Sequence, residues 1–413
     1  MTPKGDLDRA IADYTEAVRL NPKYSVAYSN RGTAYAAKGD LDRAINDYNQ
    51  AIRLDPKLSI AYNNRGIAYA SKGDVDRAIA DYNQAIKFNP RYAAAYNNRG
   101  GAYQAKGDLD RAIADHTEAI RLDLKDASAY YNRGRAYQAK GELDRAIADY
   151  TEAIRLVPKD AVTFNIRGVA LDGKGDLDRA IADYTEAIRL DPKYAAPYNN
   201  RGSSLRTSGD FDSAIADFTA AIRLNANFAG AYSNRGLAYT AKGDFDRAIA
   251  DYTEAVRLDP KFAFAYFNRG LTNLYTGELP KALADLNQAS ALNPKDAYTA
   301  LWLDIVGQRS NVPSRLPQAT AAIDMTAWPA PVIRMFLGQM TPAAVLAAAE
   351  DRDAATKKGQ VCEANIYGGE LALRNGAKGE AMRLFRLAAA DCPYNFAERS
   401  AALAEIKTLG EQH

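Results

Sequence analysis

The sequence predicts an all-α solenoid, a stack of helical hairpins, and three observations carry that prediction. Near-copies of residues 59–92 (SIAYNNRGIAYASKGDVDRAIADYNQAIKFNPRY) recur every 34 residues, with eight complete copies starting at residues 25, 59, 93, 127, 161, 195, 229 and 263. A fixed period of this size marks a repeat architecture. Each copy holds two blocks of apolar and small residues at helical spacing, Ala61–Tyr69 and Val75–Ile86 in the copy quoted, with Lys72-Gly73-Asp74 between them, which reads as two amphipathic helices and a tight turn. The composition agrees, with 47% hydrophobic and 25% charged residues in a chain of 413. Because each hairpin packs only on its neighbours, that length reads as one elongated stack rather than several globular domains.

Within the unit, positions are numbered 1 to 34 from each start. Gly73 at position 15 can take the left-handed conformation that ends the first helix, and Asp74 or Asp76 can accept backbone N–H bonds to start the second. Gly66 at position 8 and Ala78 at position 20 let the two helices cross closely, and Pro90 at position 32 turns the chain into the next unit. Tyr62, Gly66, Tyr69, Ala78, Tyr82, Ala85 and Pro90 together resemble the tetratricopeptide repeat (TPR) consensus in full. Local departures are Leu124 and Ala226 for the proline, His116 for the position-24 aromatic and Asn273 for the position-11 tyrosine. The resemblance implies a right-handed superhelix with first helices lining a concave wall, which in this family contacts ligands from positions 2, 5, 6, 9, 12 and 13.

One departure is systematic. Position 7, usually an inward-facing leucine, is arginine in every copy: Arg31, Arg65, Arg99, Arg133, Arg167, Arg201, Arg235 and Arg269. An unpaired buried guanidinium costs several kcal/mol, too much to repeat eight times in one fold. Position 23 supplies an acid in every copy, Asp47, Asp81, Asp115, Asp149, Asp183, Asp217, Asp251 and Asp285, so an Arg–Asp ladder of structural role is expected between first and second helices.

Taken in order, residues 1–24 read as the second helix of a truncated repeat, with Gly5, Ala10, Tyr14, Ala17 and Pro22 at positions 15, 20, 24, 27 and 32 and Met1-Thr2-Pro3 in place of the first helix. A signal peptide or lipid-attachment segment upstream would then be invisible. Residues 25–296 are eight tandem repeats. Residues 297–361 form an irregular helical connector: a helix over Ala297–Arg309, a loop over Asn311–Pro317, a short element at Val332–Leu337 and a helix from Thr341-Pro342 to about Ala355. Residues 362–395 form a ninth, divergent repeat through Gly369, Ala381, Phe385, Ala388 and Pro393, and 396–413 a capping helix beginning at Phe396. The runs WPAPVIRMFLG (328–338), CEANIYGGELAL (362–373) and DCPYNFAERSAALAEIKTLG (391–410) resemble the C-terminal region of NlpI-like bacterial TPR lipoproteins. That resemblance implies a dimeric envelope adaptor for periplasmic proteases or cell-wall hydrolases, in the periplasm or at the outer membrane. The family's lipidated cysteine has no counterpart here, and without an upstream signal peptide the location would be cytoplasmic.

Composition also excludes. With 53 basic and 51 acidic residues, the balance argues against nucleic-acid binding, which needs a concentrated basic face, and no apolar run approaches the length of a membrane span. The two cysteines, Cys362 and Cys392, fall at positions 1 and 31 of the ninth repeat, the same end of an antiparallel helix pair, so a disulfide is sterically open to them. It would close a loop worth about 3–4 kcal/mol and favour an oxidising compartment; the alternative is two unrelated buried thiols. His116 sits where other copies have an aromatic and reads as core, and His413 is terminal. Neither the histidines with the cysteines nor any GxSxG, phosphate-loop or HExxH motif offers a metal, cofactor or catalytic site.

Position 6 is asparagine in seven of eight copies: Asn30, Asn64, Asn98, Asn132, Asn200, Asn234 and Asn268, with Ile166 the exception. An amide both donates and accepts, so the row can pair with the backbone of an extended peptide, as in the asparagine ladders of other TPR superhelices. The alternative is bonding within its own repeat. Position 9 lacks the asparagine that a chaperone-tail clamp needs. Tyr131, Arg135 and Gln138 on the fourth repeat and Arg206 on the sixth could read an acidic or aromatic partner, although a lone arginine on a solvated wall can also be idle. Phe264, Phe267, Leu271, Leu274 and Tyr275 on the eighth form either a partner site or a dock for the C-terminal helices. The reading is therefore a non-catalytic adaptor for protein or peptide partners in a preformed groove. The alternative is a self-associating scaffold with no peptide ligand, dimerising through Ile11, Tyr14 and Val18.

Overall fold

The computed structural model describes residues 4–351, 353–393 and 397–410, and among them all regular structure is helical, in 24 helices. Met1-Thr2-Pro3, Phe396 and His413 lie outside the described residues. The chain divides into two compact units, residues 1–190 and 191–413.

The first unit opens with α1 (Lys4–Leu20) and continues in pairs: α2 (Ser25–Ala37) and α3 (Leu41–Leu54), α4 (Ser59–Ser71) and α5 (Val75–Phe88), α6 (Ala93–Ala105) and α7 (Leu109–Leu122), α8 (Ala127–Ala139) and α9 (Leu143–Leu156), α10 (Ala161–Gly173) and α11 (Leu177–Leu190). The second unit repeats the arrangement in α12 (Ala195–Ser208) and α13 (Phe211–Leu224), α14 (Ala229–Ala241) and α15 (Phe245–Leu258), α16 (Ala263–Tyr275) and α17 (Leu279–Leu292). It then adds α18 (Ala297–Arg309), α19 (Leu316–Ala319), α20 (Ala330–Phe336), α21 (Pro342–Ala348), α22 (Ala354–Arg374), α23 (Lys378–Asp391) and α24 (Ala397–Gly410).

The turn within each hairpin follows from its residues. Gly73 has φ +80°, its N–H bonds to the Ala70 carbonyl, and Asp74 N–H reaches back to the Tyr69 carbonyl at 2.9 Å. That closes α4 with the left-handed cap that only glycine adopts without strain. Asp74, rather than Asp76, caps α5 by accepting from Arg77 N–H at 3.1 Å. At the crossing, a Cβ on Gly66 would stand 2.7 Å from Tyr82 Cε1, so the absent side chain of position 8 is the space that the position-24 ring fills. Ala78 and, from the next hairpin, Ala102 share one buried cluster with that ring, and Ala61, Ala68 and Ala85 are also buried. Small residues thus bring the helices close, and one position-24 side chain per hairpin fills the space, a tyrosine or phenylalanine except for His116 in the third and Leu286 in the eighth.

The second unit carries a larger core beyond the repeats. Trp302 of α18 packs on Tyr367 of α22 with ring centroids 5.6 Å apart, and Phe336 of α20 meets the edge of Tyr367 at 6.3 Å. Leu271, Leu274 and Leu286 join this cluster from α16 and α17. The helix expected to run to about Ala355 stops at Ala348, and α22 starts at Ala354 instead of 362. Asp353 accepts from Thr356 N–H at 2.8 Å, an N-cap that lengthens the first helix of the ninth hairpin to 21 residues. Cys362 and Cys392 are joined in a disulfide with Cα atoms 5.1 Å apart. Helix α24 packs on α22 and α23 and also on α14 and α16, so the last helix lies against first helices of the seventh and eighth hairpins.

Candidate functional site

The Arg–Asp ladder is present in every full hairpin. Nε and Nη2 of each position-7 arginine donate to the two carboxylate oxygens of its position-23 aspartate at 2.6–2.8 Å. Within each unit, Nη1 of Arg31, Arg65, Arg99, Arg133, Arg167, Arg235 and Arg269 reaches back to position 25 of the preceding hairpin, as in Arg65 to Asn49 at 2.6 Å and Arg99 to Asn83 at 2.7 Å. The guanidinium groups of Arg31, Arg65, Arg99, Arg133, Arg167, Arg235 and Arg269 also lie over the position-4 ring, Arg65 5.5 Å from the Tyr62 centroid. The arginine is therefore spent on holding its own hairpin closed and tying it to the one before. In the eighth hairpin, Asn273 adds a bond to Asp285 at 3.2 Å in place of the usual tyrosine.

The asparagine row lies between the two readings offered by the sequence. Asn98 donates to Asn63 Oδ1 at 2.9 Å, Asn132 to Asn97 Oδ1 at 3.1 Å and Asn234 to Asn199 Oδ1 at 3.0 Å. These are bonds from position 6 to position 5 of the preceding hairpin. Asn64 donates to Thr33 Oγ1 at 3.3 Å, and Asn200 accepts from Asn199 at 3.3 Å. Asn268 is buried and donates to the Phe264 carbonyl in its own helix at 2.7 Å, while Asn30 is half-buried. Asn64, Asn98, Asn132 and Asn234 therefore stitch neighbouring first helices together, and a half-buried amide such as Asn98 or Asn132 has a second N–H and a carbonyl oxygen with which to meet a ligand.

Exposed apolar side chains on the same helices were missed as candidates from sequence. Val26, Ile60 and Val162 at position 2 and Ile67 and Val169 at position 9 are all exposed, and their signal was the presence of β-branched apolar residues at two positions whose residue type varies from copy to copy. Tyr131 is half-buried with its ring 6.0 Å from Tyr150, and the exposed Arg135 stands over it at 6.0 Å. Gln138 accepts from the Tyr150 hydroxyl at 2.8 Å and serves the hairpin.

Arg206 is not on an open wall. It borders a cavity of about 460 Å³ in the second unit, together with Leu237, Phe264 and Phe267 of the repeats and Tyr298, Glu363 and Glu398 of the C-terminal helices. Its Nε is buried without a hydrogen-bond partner, and burial lowers its pKa. Glu363 accepts from Trp328 Nε1 at 2.6 Å and Tyr298 Oη at 3.0 Å. Burial pushes Glu398 up to about 7, with the Glu363 charge adding to the effect. The apolar set of the eighth hairpin docks the C-terminal helices: Leu271 and Leu274 are buried in the shared core, with Phe267 and Tyr275 packed against it, and Phe264 alone stays exposed. At α1, Val18 is buried and Ile11 and Tyr14 are half-buried.

Sequence profiles now decide the family. The TPR repeat profile matches residues 3–39, 32–73, 68–107, 102–141 and 173–205, and two tetratricopeptide repeat profiles match 127–160 and 199–263 with 233–297. The chain belongs to the tetratricopeptide repeat family. None of the curated proteins compared matches it. Among solved TPR structures, a protein from Parabacteroides merdae ATCC 43184 is 20% identical over 60% of this chain and 98% of its own, with a TM-score of 0.50. The APC/C hetero-tetramer Cut9-Hcn1 is 19% identical over 71% of this chain and 58% of its own, also at 0.50. These two share the fold. YrrB, described as a TPR protein with an unusual peptide-binding site, is 25% identical over 45% of this chain and 95% of its own, with a TM-score of 0.39. TPR proteins bind protein or peptide partners, and this TPR chain has the fold of an interaction scaffold. Among the described residues no helix is long and apolar enough to cross a membrane.

Proposed function

We propose that the chain is a non-catalytic adaptor that holds extended segments of other proteins against the first helices of its repeats. The observation that carries this reading is the exposed pair Ile60 and Ile67 on α4 and the matching pair Val162 and Val169 on α10, with the half-buried amides of Asn98 and Asn132 on the first helices between them. Apolar side chains in preformed positions contribute burial, and the amides satisfy the backbone of the guest whatever its sequence. Rigid helices carry little ordering cost on binding. The Asn, Tyr131 and Arg135 positions are contact residues in this reading, and the five-part division of the chain assigned from sequence gives its binding segment as 25–296.

The likeness of residues 328–410 to NlpI-like lipoproteins extends the proposal to an envelope adaptor for proteases or cell-wall hydrolases. The Cys362–Cys392 bridge supports an oxidising compartment. Selection of the full chain against a displayed random-peptide library tests the core of the proposal. Enriched peptides are expected to lose binding to the double variant Ile67→Asp, Val169→Asp while its melting temperature stays unchanged. A concentration-independent oligomer by light scattering that enriches no peptide would instead establish the self-associating scaffold.

A further inference from the structure

The cavity bordered by the sixth to eighth hairpins and the C-terminal helices holds two buried carboxylates on the side of the C-terminal helices and one arginine on the side of the repeats. Glu363 and Glu398 are each 8% exposed and both line it, and among the described residues no cation is paired with either carboxylate. Burying two carboxylates together without a counter-charge is unfavourable, and each is driven towards its neutral form. The adjoining walls are aromatic: Phe264, half exposed, with Phe267 and the Tyr298 ring. Across the same space Arg206 offers donors with no ion-pair partner, which calls for a carbonyl oxygen. A volume of about 460 Å³ is that of a small-ligand or side-chain pocket rather than a packing defect.

We propose that this cavity receives a lysine or arginine side chain presented by an extended segment of another polypeptide, with its cationic head at Glu363 and Glu398. The aliphatic stem lies against Phe264 and Phe267, and a main-chain carbonyl of the guest accepts from Arg206. Charge complementarity selects this occupant at the carboxylate side of the cavity, since an acidic side chain would add a further negative charge there and an apolar one would leave the charge of the carboxylates uncompensated. The inference rests on the adaptor reading and names one side chain that its partner must carry.

The test is fluorescence anisotropy with full-length protein and fluorescein-labelled Gly/Ser nonapeptides that differ only at a central Lys, Arg, norleucine, Gln or Glu. Lys and Arg peptides are expected to bind about tenfold or more tighter than norleucine and Gln, the scale of a charge-assisted hydrogen bond, with Glu weakest. Glu398→Gln and Glu363→Gln should each erase most of that preference. Phe264→Ala, at an exposed position, should weaken the Lys peptide without lowering the melting temperature, and it serves as the control should a glutamine variant fail to fold. Affinity independent of the central residue would overturn this inference and leave the adaptor reading standing; no binding by any peptide here, with no library enrichment, would end both. Equal binding of free lysine amide and the Lys peptide would overturn the polypeptide guest in favour of a small amine.

Discussion

His116 shows how far one residue can depart from a repeat and what it costs. Its ring occupies the space of the position-24 tyrosine, Nδ1 is 2.8 Å from Asn97 Oδ1, and Nε2 is buried without a partner. Since Asn97 Oδ1 can only accept, Nδ1 carries the proton and Nε2 is a bare lone pair. Burial pushes the imidazole pKa down to about 4, and the Arg133 charge adds to the effect. The unfolded chain takes up a proton near pH 6.5 and the folded chain does not, so this stability is fully present above that pH and is lost as pH falls towards 4. Urea denaturation is expected to show about 2 kcal/mol more loss between pH 7 and 5 in the wild type than in His116→Tyr. An equal loss in both would mean that the imidazole protonates in the folded state. The sequence placed His116 in the core, but its bond to Asn97 joins elements 19 residues apart and lay outside any pattern internal to one helix.

At the scale of elements, two devices fix the C-terminal helices. Arg309 of α18 donates from Nη2 to Glu370 of α22 and from Nη1 to Glu405 of α24 at 2.8 Å, so one guanidinium holds three helices together. Burial pushes Glu370 up to about 7, which Arg309 opposes and the Glu405 charge reinforces. Arg309→Met leaves two buried carboxylates facing each other and is expected to cost about 3–5 kcal/mol. Adding Glu370→Gln should recover part of that loss in a thermal melt, because only one charge is then left unpaired. The disulfide between α22 and the end of α23 closes a separation of 30 residues, and Cys362→Ser is expected to cost about 3–4 kcal/mol on the chain-entropy account. A melting temperature unaffected by both substitution and reductant would contradict it. Surface ion pairs such as Lys106–Asp76 at 2.6 Å and Lys140–Asp110 at 2.7 Å also link neighbouring hairpins. Their exposure leaves both screened by solvent, so neither adds much to stability.

For the molecule as a whole, the formal charge of +2 over 413 residues means that association has little long-range electrostatic drive. Partner binding on the first-helix face of residues 25–190 is therefore expected to change less than about threefold between low and physiological salt, because apolar contacts and neutral amides are not screened. A loss of an order of magnitude or more in surface plasmon resonance would point to a charged epitope instead. Nearest-neighbour packing also limits how far damage spreads. Asp149→Ala strips the partner from Arg133 and should raise hydrogen exchange in α6 to α11 while leaving α22 to α24 protected.

The sequence by itself determined the hairpin, its capping glycine, the close crossing at Gly66 and Ala78 and the Arg–Asp ladder. All of these repeat with the 34-residue period, and a repeated residue type reports a repeated physical need. Tertiary structure alone decided that Asn98, Asn132 and Asn234 at position 6 bond to position 5 of the preceding hairpin and that α24 covers part of α14 and α16. It alone gathered Arg206, Glu363 and Glu398 around one cavity. Those relations depend on the rotation from one hairpin to the next and on a tail that occurs once, and neither leaves a periodic trace in the order of residues.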